Sequence, residues 1–191
     1  MIFSNSYRKS SISYQKYQSM TVAVPQPNRI AVPDPPKPTG VKLKWGKPIW
    51  TFFHTMAQKM NEEHFHLIIG GYMQMITSIC SVLPCPVCSK HAIEYLNSKN
   101  INNIRSKQEL IQFFYAFHNS VNERKGYPIF PLESVVPTYE NANTYAVIKE
   151  FMFHFEDRHR SAKLIVDDFI RRRIVPQVKN WINANIRYFS P

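Results

Sequence analysis

The sequence predicts an all-α protein, an antiparallel four-helix bundle with a short fifth helix and an additional helical C-terminal extension. Three observations predict it. From Trp45 onward apolar residues recur at three- and four-residue steps, with Trp50, Phe53, Ala57 and Met60 on one face. No run of alternating apolar and polar residues in the same region reads as a strand. The segment boundaries carry helix punctuation: Pro48 in a first turn, Pro84 after an apolar run, Ser106 opening a capping box, and Lys125-Gly126 closing a last turn.

Taken in order, residues 1–40 read as a Pro-rich, flexible N-terminal arm, because Pro25, Pro27, Pro33, Pro35, Pro36 and Pro38 favour extended backbone. The first helix starts near Trp45 and carries Trp50 and His54 one turn apart. A second runs from about Glu63 to Leu83, softly interrupted at Gly70-Gly71 and ended by Pro84. A third begins at Cys85-Pro86-Val87-Cys88 and carries Ala92, Ile93, Tyr95 and Leu96. The fourth follows the Ser106 to Glu109 capping box with Leu110, Phe113, Phe114, Phe117 and Val121. Together these define a domain over 41–140. The remainder, 141–191, reads as a separate extension with helices over Tyr145 to Phe155 and Lys163 to Trp181, the second broken or kinked at Pro176.

Composition narrows the function. A chain of 191 residues with 44% hydrophobic and 14% aromatic side chains can bury a real core in one domain with extensions. Twenty-four basic against thirteen acidic residues give a formal charge of +11, which attracts phosphates, anionic membranes or acidic proteins. A solvated basic surface is the plainer explanation, and the Arg171-Arg172-Arg173 cluster reads the same way or as a partner-docking face. Recognition-helix patterns and interleaved Arg and aromatic residues are both missing, so no nucleic-acid partner is expected. The polar start, Met1 to Tyr17, does not read as a signal peptide, and no transmembrane segment is expected.

Three cysteines, Cys80, Cys85 and Cys88, are too few for a disulfide-stapled secreted scaffold. Cys85 and Cys88 instead read as a redox-active or metal-binding pair at the start of a helix, where free amides and the helix dipole favour a thiolate. A zinc site would need two further ligands; His91 with His54 or His118 is the available set, but a second closely spaced ligand pair is missing. No metal is therefore expected. Cys80 reads as a small buried side chain, with an intersubunit disulfide as the alternative. On the fourth helix His118 and Asn122 share a face, flanked by Asn119 and Val121. Taken alone, His118 would be a satisfied core histidine. The facing pair on helix one, Trp50 and His54, adds a stacking plane and a second imidazole.

Trp45-Gly46 with Trp50 and His54, then Cys85-Pro86-Val87-Cys88, then His118-Asn119-Ser120-Val121-Asn122 resemble the three signatures of the Erv/ALR flavin-linked sulfhydryl oxidases, in order and spacing. Ser81 to Gly126 most resembles the compact versions encoded by large DNA viruses. The resemblance implies a helical bundle that binds FAD noncovalently, usually as a homodimer. It places Gly46, Trp50, His54, His118, Asn119, Val121 and Asn122 at cofactor-contacting positions, Arg124 near the phosphates, Tyr139 on the adenine side, and His91 as a contact or a tuner of the disulfide. It makes Cys85 and Cys88 catalytic. Cys85 is attacked by the substrate thiolate, Cys88 is freed beside the flavin, a second substrate thiolate releases oxidised product, and electrons pass through FAD to O2, giving H2O2. Here the second, shuttle cysteine pair that many members carry is missing. A protein substrate must then reach the active-site pair directly or through a thioredoxin-like carrier. The implied locations are the host cytoplasm at viral assembly sites and the virion. Two other functions remain at this point. One is a noncatalytic basic helical interaction module whose CxxC binds zinc or is relict. The other is a thioredoxin-like oxidoreductase, which would need strands beside the CxxC helix.

Overall fold

The computed structural model describes residues 45–156 and 165–191. The expected arm over 1–40 and the start of the last expected helix, at Lys163, lie outside them. Among the described residues seven α-helices follow one another with no named strand: α1 Gly46–Lys59, α2 Phe65–Ser81, α3 Pro86–Ser98, α4 Lys107–Lys125, α5 Val135–Tyr139, α6 Thr144–Glu156 and α7 Ile165–Asn185. The first four form the bundle, with α1 against α4 and α2 against α3. The short fifth helix, α5, also packs on α1.

Local chemistry sets the boundaries. Pro86 occupies the first turn of α3, where its missing N–H has no helical partner to lose. At α4 the Ser106 hydroxyl accepts the Glu109 amide at 3.2 Å, and Glu109 Oε2 accepts the Arg105 amide at 2.6 Å. The reciprocal cap thus reaches back one residue further than a standard capping box. Gly126 ends α4 with φ +67°, a left-handed conformation that costs other residues strain.

The extension is packed onto the bundle. Phe52 of α1 stacks on Phe151 of α6 with ring centres 4.0 Å apart, and both side chains are fully buried. Trp181 of α7 lies over α2, so close to Gly71 that a Cβ there would meet its indole nitrogen at 2.8 Å. Beyond α7 the chain returns to the end of α1: Met60 and Phe189 form an isolated antiparallel bridge, and the Asn61 amide donates to the Tyr188 carbonyl at 2.9 Å.

Two expectations change. Gly70-Gly71 does not interrupt α2, which runs unbroken from Phe65 to Ser81. The missing side chain of Gly71 is the space Trp181 fills, and that packing compensates for the low helix propensity of glycine. Pro176 does not end the last helix either; α7 continues through it to Asn185. Val178 and Ile182, both buried, hold the segment after it against the bundle and offset the lost backbone bond.

The two glycines should therefore respond oppositely to alanine. Gly70 is exposed and a Cβ there meets nothing within 4 Å, so Gly70→Ala is expected to stabilise the chain by about 0.5–1 kcal/mol. Gly71→Ala must displace Trp181 and is expected to lower stability. Urea denaturation of the two variants beside the unmutated chain checks both signs.

Candidate active site

Cys85 and Cys88 are joined by a disulfide, with their Cα atoms 5.1 Å apart. Cys85 is the N-cap of α3, and its Sγ accepts the Cys88 amide at 3.2 Å. An extended N-cap followed at once by a helical turn brings residues i and i+3 together, which is why this spacing closes so small a ring. The first turn of α3 is also fastened to the end of α2, where Ser89 Oγ donates to the Cys80 carbonyl at 2.7 Å. Both cysteines are half-buried, and the intervening Val87 is exposed.

Cys88 faces a small cavity of about 50 Å3 enclosed by Gly46 and Trp50 of α1, Leu83, and Val121 and Arg124 of α4. A cleft of about 330 Å3 shares Phe117, Val121 and Arg124 with it and adds His91 and Tyr95 of α3. Its opposite margins carry little acid: Glu94 is exposed and 3.9 Å from Lys90. Lys125, at the cavity margin, is held below its ordinary value by burial and by the neighbouring Arg124 charge.

Behind this opening four flat rings stand in line. Trp50 stacks on His118 at 4.2 Å with 12° between the planes. His118 Nδ1 meets His54 Nε2 at 3.0 Å. The far face of His54 stacks on Tyr139 at 4.6 Å and 7°. The His54 pKa is lowered to about 3, by burial first and then by His118; that of His118 is lowered to about 4 by burial. Both imidazoles are therefore neutral at physiological pH, and the pair shares one donated proton. His54 Nδ1 is buried with no hydrogen-bond partner. A bare acceptor costs less there than an unpaired N–H, so the geometry favours Nε2–H of His54 donating to His118. His118 then carries its own proton on Nε2 and can donate it onward.

The expected site residues thus fall into two groups. Gly46, Trp50, Cys88, Val121 and Arg124 line the opening beside the disulfide, and His91 lines the adjoining cleft with its Nδ1 buried and unpartnered. His54 and Tyr139 stand behind His118 and support it. Asn119 is turned away to the 126–131 loop: its amide donates to the Phe130 carbonyl at 2.9 Å and accepts the Phe130 amide at 2.8 Å. Asn122 in turn donates to Asn119 at 3.3 Å. This clamp brings Phe130 to 5.9 Å from His118 and 6.3 Å from His54, ring centre to ring centre. Phe130, Leu83 and Lys125 are not among the site residues expected from the sequence; only the Asn119 clamp on Phe130, invisible in spacing, points to the first. Cys80 is a free, buried thiol whose pKa is pushed up to about 12 by burial, and it sits in the wall of the same cavity.

The family model described as Erv1 / Alr family matches residues 47–140. Protein 096R of Invertebrate iridescent virus 3 is 30% identical over 118 residues, covering 58% of this chain and 78% of the relative. Protein 347L of Invertebrate iridescent virus 6 is 34% identical over 99 residues, covering 48% and 86%. The chain belongs to the Erv1/Alr family. A third member, the FAD-linked sulfhydryl oxidase of African swine fever virus (isolate Pig/Kenya/KEN-50/1950), is 29% identical over 100 residues, covering 52% of this chain and 83% of the relative. No solved structure gives a match. The Erv1/Alr match spans α1 to α5 and so contains the disulfide and the whole ring stack, but neither α6 nor α7. Among the described residues no group of three or more His, Cys, Asp or Glu is placed to hold a metal ion. No described helix is long and apolar enough to cross a membrane.

The neutral imidazole pair sets a pH dependence. The unfolded chain takes up protons near pH 6.5 at His54 and His118, whereas the folded chain does so only near 3 and 4. Their contribution is whole above about pH 6.5 and is lost as pH falls toward 4. Melting temperature should decline from neutral pH to about 4, and His54→Phe, which removes one of the two titrations, should flatten that decline.

Proposed function

We propose that this chain is an FAD-linked sulfhydryl oxidase that forms disulfides in protein substrates through Cys85 and Cys88. The observation that carries the reading is that Cys88 faces the aromatic opening while Cys85 caps the helix from the side of exposed Val87. That difference supports giving the two chemically identical sulfurs separate roles.

The residues fit a flat, partly anionic cofactor. Trp50 offers an aromatic plane, His118 a proton donor, and Arg124 with Lys125 cationic charge at the mouth. Gly46 lines the opening, and among the described residues a Cβ there would meet no atom of another segment within 4 Å. As the side chains stand, about 50 Å3 does not admit a three-ring system, so side chains around the opening must move to receive one. FAD, when bound, supplies a two-electron acceptor that returns its electrons to O2 as H2O2.

The protein's own steps are thiol–disulfide exchange. A substrate thiolate attacks Cys85 Sγ, the Cys85–Cys88 bond breaks, and Cys88 leaves as a thiolate in the first turn of α3, where the helix dipole stabilises it. The second substrate thiolate then attacks the substrate sulfur of the mixed disulfide. The substrate leaves oxidised, and Cys85 departs as a thiolate stabilised by the Cys88 amide that already points at it. Two electrons now reside on the reduced pair, with Cys88 on the cofactor side. Buried Cys80, held protonated, takes no part in this exchange. The same reading gives 41–140 the oxidase function, 141–191 a supporting extension, and His91, Asn119, Asn122 and Tyr139 places around the cofactor. It also includes a homodimer, protein thiols reached directly or through a thioredoxin-like carrier, and action in the host cytoplasm and virion, in keeping with the viral relatives.

Purified protein should be yellow, and Cys88→Ser should keep the colour while abolishing oxygen consumption with dithiothreitol. A colourless chain, or turnover by the variant, would overturn the reading. Cys88→Ala, offered a substrate in its disulfide form, should hold it on Cys85 by thiol–disulfide exchange as a mixed disulfide that reducing agent releases. Gly46→Val should lower the flavin content per chain severalfold while leaving the helical circular dichroism unchanged, because its side chain enters only the opening.

A further inference from the structure

Arg171 stands in α7, outside the residues matched by the family. Its guanidinium joins the end of α2 to α6. Nη1 donates to the Val82 carbonyl at 2.9 Å, and Nη2 donates to the Phe155 carbonyl. The guanidinium carbon also lies 5.0 Å from the centre of the Phe155 ring. Val82 is the C-cap of α2, so its carbonyl oxygen lacks a partner within that helix, and Phe155 lies in α6. A cationic fork donates to both carbonyls and meets the negative end of the α2 dipole.

Leu83 and Pro84 alone separate Val82 from Cys85. On the other side of the disulfide, Ser89 is fastened to the Cys80 carbonyl. The whole run from Val82 to Ser89, with both cysteines, is thus held at two points. One is within the bundle; the other comes from the extension.

We infer that Arg171 is a positioning residue for the disulfide, anchoring the α2–α3 loop from the C-terminal extension so that Cys85 and Cys88 favour the bonded state. The inference rests on the reading of this pair as a working thiol–disulfide couple. Two thiols held in a fixed loop have a high effective concentration for each other, and a loosened loop lowers it. The relevant reaction is the Cys85–Cys88 disulfide plus two glutathione molecules giving the dithiol plus glutathione disulfide. One disulfide is reduced, two glutathione thiols are oxidised, and their two protons pass to the protein thiols.

The test uses the full chain equilibrated in glutathione buffers of graded ratio, then quenched, alkylated and weighed by mass spectrometry. Arg171→Met, which keeps the stem and loses the donors, should shift the equilibrium toward the dithiol by about fivefold. Hydrogen exchange at the 83–89 amides should rise with it. Lys179→Met is the control: it breaks a 3.7 Å ion pair between α7 and Glu156 of α6 without touching the loop, and should match the unmutated chain. A folded Arg171→Met with an unshifted equilibrium would overturn the inference, as would an equal shift in Lys179→Met, which would assign the effect to the extension as a whole. Should Arg171→Met fail to fold, Arg171→Gln carries the test, because it keeps a donor for one carbonyl but not both, and an unshifted equilibrium there overturns the inference equally. Failure of the oxidase reading would look different: no oxygen uptake by the unmutated chain, with the equilibrium shift intact.

Discussion

The hydrogen bond between His54 and His118 joins α1 to α4 across 64 residues of sequence, and most of the site is arranged around it. Trp50 lies on one outer face of the pair and Tyr139 on the other, so four rings from three helices stand as a single wall. Burial keeps both imidazoles uncharged, so the pair is held by one N–H···N hydrogen bond at 3.0 Å with no charge between them. The wall is therefore neutral, backed by the buried Tyr139 ring, and left with one imidazole N–H to donate. A wall of this kind supplies position and polarity while leaving difficult electron chemistry to a bound group.

The disulfide depends on that wall in a different way. Its two sulfurs are chemically alike, but the start of α3 makes them unequal. One caps the helix and receives an amide; the other turns inward beside Trp50 and Val121. Cys80 shows what the same side chain becomes without those features: buried, pushed up to about pKa 12, and inert. Reactivity here is a property of the helix start and the loop that leads to it, which is why an arginine far along the chain can bear on it.

Much of this was legible from residue spacing. Trp50 and His54, and His118 and Asn122, are each one helical turn apart, and pairs so placed must share a face. The face toward which α1 and α4 turn them is then decided by Phe53, Phe114 and Phe117, all buried. Caps were legible for the same reason, since Ser106 and Gly126 act on neighbours within a few residues. What could not be read depends on contacts across long separations. Asn119 looks like its neighbours in sequence, yet the path of the 126–131 loop turns it into a clamp on Phe130. Gly71 reads as a helix weakness until Trp181 is seen above it. The Arg171 cluster reads as solvated charge because nothing local marks Val82 and Phe155 as its acceptors.

The return of residues 188–190 to the end of α1 carries a consequence for biogenesis. Met60 and Asn61 are translated early, but their backbone partners lie near residue 189. Until that stretch clears the ribosome, the groove at Gly71 and the flank of Tyr72 have neither Trp181 nor Phe189 to cover them. Contacts of such long range form slowly, so Gly71 and Tyr72 stay uncovered until these form. A chain built this way completes its apolar core only through some of its longest-range contacts.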